Sequence, residues 1–233
     1  MPVKGIYLLI FMCFSHIAWA ESQIHLFILS GQSNMKNLNV DASFKPKIEK
    51  KFGKGNVLIV KDAHHGHPIE SWYKEPKWYC PYINFFMCKK KTRGVLYEQL
   101  INKVLTAVKG KKVTSITFIW MQGERDAMSK DGDRYKARWE GLLKNLKADL
   151  RSEDLNFIIG RLSDFDMKNE SYPHWTMIRD IQVSIAETSR FGAWVNTDTF
   201  NGENNNLHYT IDGYEKFGAV LADRAIELIT TPH

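Results

Sequence analysis

The chain has 233 residues, 44% apolar and 25% charged, the balance of an ordinary globular protein; a disordered or fibrous chain is excluded. Lys and Arg number 32 against 26 Asp and Glu, a formal net charge of +6. The basic residues are scattered apart from Lys89-Lys90-Lys91 and Lys109 to Lys112, without interleaved aromatics, so they read as solvated surface and no nucleic-acid partner is expected.

The first 20 residues have the pattern of a cleavable secretory signal: Lys4, an apolar run from Ile6 to Phe14, then Ala18-Trp19-Ala20. The run is shorter than the ~20 residues a spanning helix needs. The expectation is residues 1–20 as signal and residues 21–233 as one exported domain without a membrane span. Cys13 lies in the signal, leaving Cys80 and Cys88. In an oxidising compartment that pair suggests a local disulfide, with two free thiols as the alternative. Two cysteines alone do not make a structural zinc site, which takes about four ligands.

Beyond the signal, apolar runs at Ile24–Ser30, Val57–Val60, Val113–Met121, Asn156–Gly160 and Ala193–Asn196 suit strands buried on both faces. Between them lie stripes at helical spacing. Val95–Val108 aligns Leu96, Leu100, Val104 and Val108; Tyr135–Leu150 aligns Trp139, Leu142, Leu146 and Leu150. Trp175–Thr188 aligns Ile178, Ile181 and Ile185; Tyr214–Ile229 aligns Phe217, Val220, Leu221 and Ile229. The alternation predicts a three-layer α/β/α sandwich around a five-stranded parallel sheet, flavodoxin-like in order. Ala63 to Arg93, rich in aromatics and holding both cysteines, reads as a long loop beside the site. Its Trp72, Trp78, Tyr79, Tyr82, Phe85 and Phe86 either stack a sugar or pack the loop down.

Ligands of open parallel sheets bind at the carboxyl ends of the strands. Four segments there carry chemistry. Gly31-Gln32-Ser33-Asn34-Met35 places a serine on a sharp turn, as a nucleophile or a helix cap. Gly66, within His64-His65-Gly66-His67, lets backbone approach a substrate and offer its N–H to an oxyanion. The three histidines are not spaced to share one face of a helix or strand, so no metal is expected. Trp120-Met121-Gln122-Gly123-Glu124-Arg125-Asp126-Ala127 offers an amide donor and two carboxylates, which are also ordinary helix-start residues. His208, before the last helix with Thr210 as its cap, completes the order of a serine hydrolase whose base arrives last.

These four segments resemble the SGNH hydrolases, and within them the sialate O-acetylesterase and acetylxylan esterase branch, carbohydrate esterase family six. Gly31 to Met35 is similar to that branch's nucleophile motif residue for residue. Gly66 to Trp72 resembles its second block. Trp120 to Ala127 resembles its Trp-His-Gln-Gly-Glu-x-Asp-Ala segment, with Met121 in the histidine place. Leu207 to Gly218 resembles its histidine block, and Trp175, Arg179 and Gln182 fall where the branch often has Trp, Arg and Gln. The resemblance implies a serine esterase acting on O-acetyl groups of carbohydrates, with Ser33 as nucleophile and His208 as base. The oxyanion hole would be the N–H groups of Ser33 and Gly66 with the Gln122 side chain. No metal or organic cofactor is needed for that chemistry.

One position departs from the pattern. Asn205 stands three residues before His208, where the family commonly has an aspartate, and a neutral amide cannot charge-stabilise an imidazolium. The resemblance implies that some members use the glutamate that is Glu124 here, so a Ser33-His208-Glu124 triad is the expectation, with Asn205 and Asp126 in support. The rival readings are a lipid or thioester hydrolase on the same fold, and a carbohydrate-binding protein without catalysis.

Overall fold

The structure, a computed structural model, describes residues 23–79 and 89–231. The signal segment and the Cys80–Cys88 expectation lie outside the described residues, as do Tyr82, Phe85 and Phe86. In chain order the elements are β1 (Ile24–Gly31), α1 (Ser33–Asn37), α2 (Phe44–Phe52), β2 (Val57–Ala63), β3 (Tyr73–Tyr79), β4 (Lys89–Arg93), α3 (Val95–Val108) and β5 (Val113–Met121). There follow α4 (Glu124–Met128), α5 (Gly132–Leu150), β6 (Asn156–Gly160), α6 (Trp175–Glu187), β7 (Gly192–Val195) and α7 (Ile211–Thr230).

The five expected strands form one parallel sheet in the order β2-β1-β5-β6-β7. β1 and β5 are central, and Phe27, Ile28, Leu29, Phe118, Ile119 and Trp120 are fully buried, as continuous apolar runs require. Helices α2 and α7 pack on each other, while α5 packs on α3 and α6. On the α5 side, Trp72 meets Trp120 edge-on at 5.0 Å, and Trp139 stacks on Phe118 at 5.6 Å. The four long helices begin and end close to the apolar stripes, and Thr210 caps α7 by accepting from Gly213 N at 3.0 Å.

Two features differ from expectation. Helix α2 left little trace in the sequence, because lysines and Pro46 dilute its Phe44, Ile48 and Phe52 stripe; a proline in the first turn costs no intrahelical bond. The segment read as one long loop contains a two-stranded antiparallel ribbon, Tyr73 facing Arg93 and Tyr79 facing Lys89. Pro76 and the lysine run hid it, since prolines are confined to edges and irregular pairings and the register shifts between Tyr73 and Lys77. Trp72 is fully buried against Trp120, which removes it from any sugar-stacking surface.

β1 leads to β2 on one side, and the next parallel strand, β5, joins β1 on the other. The strand order therefore reverses at β1, and the carboxyl ends of β1 and β5 frame the crevice such sheets use for ligands.

Candidate active site

The turn after β1 is set by close strand approach. Gly31 has φ +136°, and a Cβ there would lie 2.0 Å from Met121 O. Beside it, Gln32 N donates to Met121 O at 2.8 Å and His64 N donates to Gly31 O at 2.9 Å. The chain then turns straight into α1. Gln32 takes the cap position, its carbonyl receiving Lys36 N at 2.8 Å, and Ser33 is the first helical residue. Ser33 is 5% exposed and caps nothing.

A pocket of about 220 Å³ opens there, lined by Gln32, Ser33, His65, Gly66, Glu124, Arg125, Met128, Tyr172, Leu207 and His208. Parallel register brings the ends of the central strands level, so residues far apart in sequence share this wall. Of the expected site residues, Ser33, Gly66, Glu124 and His208 line it; Gln122, Asp126 and Asn205 do not. Gly66 has φ +68°, with open space where a Cβ would stand. Glycine is required there by the left-handed backbone, not by crowding.

Gln122 is fully buried, and its two N–H groups already face three acceptors: Asp126 Oδ2 at 2.5 Å, His67 O at 3.2 Å and Gln32 Oε1 at 3.3 Å. No donor is left over for an oxyanion in this arrangement. The residue instead joins the β1, β2 and β5 ends. Its carbonyl accepts from Tyr135 OH at 2.7 Å and Gln182 Nε2 at 2.8 Å. Asp126 Oδ2 also accepts from Ile69 N at 2.9 Å, and Arg138 Nη1 stands 3.8 Å from Oδ1. Burial pushes the Asp126 carboxyl up to about 6, against the pull of Gln122, Ile69 N and Arg138.

Glu124, 1% exposed, opens α4. Its Oε1 accepts from Asn34 Nδ2 at 3.1 Å, and its buried Oε2 has no hydrogen-bond partner. Burial pushes this carboxyl up to about 7; backbone N–H groups and Asn34 pull it down, and Asp126 adds to the rise. His208 sits exposed at the rim, its imidazole held below the ordinary value by partial desolvation and then by His65. No hydrogen bond joins Ser33, His208 and Glu124 to one another. Such bonds are often long without substrate and tighten in the complex.

Asn205 is placed elsewhere. It has φ +45°, its Nδ2 donates to Asp164 O at 3.2 Å and Phe165 O at 3.3 Å, and its Oδ1 accepts from Asn201. It lines a separate cavity of about 590 Å³ with Asp164, Asn201 and Lys216. Among the described residues, Glu124 is thus the one carboxylate in the pocket wall with His208. The three histidines diverge: His64 Nε2 lies 3.3 Å from Asp62 Oδ1, His67 Nδ1 lies 3.1 Å from Ser71 Oγ, and only His65 lines the pocket. On α6, Trp175 Nε1 donates to Ser163 O at 2.7 Å, Arg179 pairs with Asp198 at 2.8 Å, and Gln182 Oε1 accepts from Leu162 N at 2.8 Å. These three brace the loops after β6 and β7 from behind the pocket. Sequence reasoning passed over Asn34, which is 1% exposed and hydrogen-bonded to Glu124; its place inside the serine motif was the available signal.

No curated protein matches the sequence. A protein from Arabidopsis thaliana has a similar structure, with a TM-score of 0.66 at 18% identity, covering 88% of this chain and 98% of that one. XAC1771, a carbohydrate acetylesterase from Xanthomonas citri, gives 0.63 at 15% identity, covering 87% and 56%. A member of the lipolytic G-D-S-L family from Veillonella parvula gives 0.51 at 12%, covering 89% and 100%. At these identities the likeness is one of fold, which is that of the SGNH esterases. The family profile described as "Carbohydrate esterase, sialic acid-specific acetylesterase" matches residues 36–227, most of the chain. The chain is therefore a carboxylic ester hydrolase belonging to the sialic acid-specific acetylesterase family of carbohydrate esterases.

Proposed function

We propose that the protein is exported and hydrolyses O-acetyl esters of carbohydrates through a covalent acetyl-Ser33 intermediate. The observation that carries this reading is the convergence of Ser33, Gly66, Glu124 and His208 on one pocket. Ser33 Oγ attacks the acetyl carbonyl carbon while His208 takes its proton. The backbone N–H groups of Ser33 and Gly66 receive the oxyanion. The tetrahedral species collapses, the sugar oxygen leaves with the proton from His208, and the acetyl group stays on Ser33 as an ester. A water, deprotonated by His208, attacks the acyl group, and acetate departs as Ser33 recovers its proton. Glu124, ionised, stabilises the imidazolium. Gln122, with its N–H groups occupied, supports the hole by holding the His67 carbonyl.

The pocket's size favours a short acyl group. About 220 Å³ is below the ~300–1,000 Å³ typical of sites for drug-sized ligands. Export is supported by the sequence of residues 1–20 alone. The test is acetate release from acetylated xylans, acetylated sialic acids and acetylated peptidoglycan fragments, with Ser33→Ala as control. Release by the wild type, loss of it in Ser33→Ala, and a steep fall from acetyl to long-chain p-nitrophenyl esters are expected. Activity retained in Ser33→Ala overturns the nucleophile, and a preference for long chains overturns the acetyl reading.

A further inference from the structure

We propose that Asn34 is the positioning residue that sets Glu124 and His208 in place relative to Ser33. The inference rests on the Ser33-His208-Glu124 reading. Asn34 directly follows Ser33 in the chain and is 1% exposed. Its Nδ2 donates to Glu124 Oε1 at 3.1 Å and to Leu207 O at 3.1 Å. Its Oδ1 accepts from Tyr214 OH at 3.0 Å and from Tyr209 N at 3.4 Å. A carboxamide has two N–H donors and one oxygen with two lone pairs, so every capacity of this side chain is used.

The distribution of those four bonds is what matters. Two of them, to Leu207 O and Tyr209 N, bracket His208 on either side and fix the backbone that carries it. A third fixes the carboxylate of Glu124. The fourth ties the amide to α7 through Tyr214, whose hydroxyl in turn accepts from Asn37 Nδ2 at 3.0 Å. One buried amide thus links the serine turn, the acid and the histidine loop, three pieces of chain that share no strand or helix. Asn34 touches none of the reacting atoms; its action is through the residues it holds.

Aspartate is nearly isosteric with asparagine and separates the roles. Asn34→Asp keeps the oxygen that receives Tyr209 N and Tyr214 OH. It has no N–H for Glu124 or Leu207 O and sets a second carboxylate against the first. Misplacing catalytic groups by about 1 Å costs on the order of 100-fold, so kcat is expected to fall by about that factor. KM should stay within threefold, roughly, because no substrate contact is lost. The acid limb of the kcat–pH profile should move up by about one pH unit, since Glu124 loses a donor to its charged form and gains a like charge. The groups acting on Glu124 are Asp126 on α4, Tyr135 from α5, Tyr172 from the segment before α6, and Tyr209 and Tyr214 from the last loop and α7, while Arg125 and His208 line the same pocket. Burial raises each of those tyrosines, keeping them neutral across the acid limb.

The experiment is steady-state kinetics on p-nitrophenyl acetate from pH 5 to 9, with thermal melting, for wild type, Ser33→Ala, Asn34→Asp and Tyr214→Phe. A role confined to stability would lower the melting temperature and leave kcat per folded molecule and the pH profile alone; that result overturns the proposal. A raised KM with unchanged kcat also overturns it. Tyr214→Phe removes one bond to the same amide and should lower kcat by about fivefold. If Asn34→Asp does not fold, Tyr214→Phe decides, and unchanged kinetics there count against the proposal. An inactive wild type or an active Ser33→Ala sinks the triad reading instead. An active wild type, an inactive Ser33→Ala and an indifferent Asn34→Asp sink only the role of Asn34.

Discussion

Asp126 accepts the backbone N–H of Ile69 at 2.9 Å on the same oxygen that receives Gln122. The carboxylate thereby anchors the segment carrying Gly66 to the helix carrying Glu124. Asp126→Leu leaves the Ile69 N–H without its acceptor and takes one of three acceptors from Gln122, and is expected to destabilise the fold by roughly 1–3 kcal/mol. It should also lower kcat by displacing the Gly66 backbone. Asp126→Asn keeps an acceptor and should lose less on both counts. Denaturant titration with kinetics checks this; equal behaviour of Asn and Leu would show that the shared oxygen is not what matters.

Glu124 and Asn205 offer a direct kinetic contrast. Glu124 shares the pocket wall with His208, whereas Asn205 lines another cavity. Glu124→Gln is expected to lower kcat by about 10³–10⁴-fold, as loss of the acid does in other triads. Asn205→Ala should change kcat by less than about fivefold, the scale of one hydrogen bond. The reverse ranking would return the acid's role to the loop before His208.

The raised Glu124 carboxyl sets opposite trends for activity and stability. In the proposed triad catalysis needs the carboxylate, so kcat should rise with pH through about 7. Folding favours the protonated form. The ordinary value is 4.5 and the folded value about 7, so the native state holds the extra proton in that window and stability falls as pH rises through it. Asp126 contributes the same sign between 3.8 and about 6. Glu124→Gln should therefore melt like wild type at pH 4 and be more stable at pH 8, by on the order of 2 kcal/mol. Melting curves at the two pH values decide; a variant less stable at pH 8 contradicts the burial argument.

Gly31 sits where the turn before Ser33 leaves no room for a side chain. Gly31→Ala meets both the positive φ and a Met121 carbonyl 2.0 Å from the new Cβ. The backbone of two central strands would have to part, and a loss of about 3 kcal/mol or more is expected. Circular dichroism and denaturant titration read it. A native-like Gly31→Ala would mean that the two strands separate easily at this end.

Much of the fold was legible because burial leaves a periodic mark. The apolar runs at Ile24 and Val113 announced the central strands, and the stripes at Val95 and Trp175 announced helices on the sheet. Where polar residues carry an element, the mark fades: lysines diluted α2, and Pro76 with the Lys89 run hid the β3–β4 ribbon. The serine turn was legible too, since Gly31 and the strand before it force a tight change of direction locally.

The sequence by itself determined the parallel α/β layering and the approximate places of Ser33, Gly66, Glu124 and His208, because strand ends are defined by local burial. Only the tertiary structure decided which side chains meet. It placed Glu124 in the same pocket wall as His208 and Asn205 in another cavity, since a left-handed residue at 205 sends that amide to the carbonyls of Asp164 and Phe165. It filled the donors of Gln122 with Asp126, His67 and Gln32. It also made Asn34 the link between three distant segments. Hydrogen bonds across such separations follow from crossover order and strand register, which a one-dimensional pattern of apolar spacing does not encode.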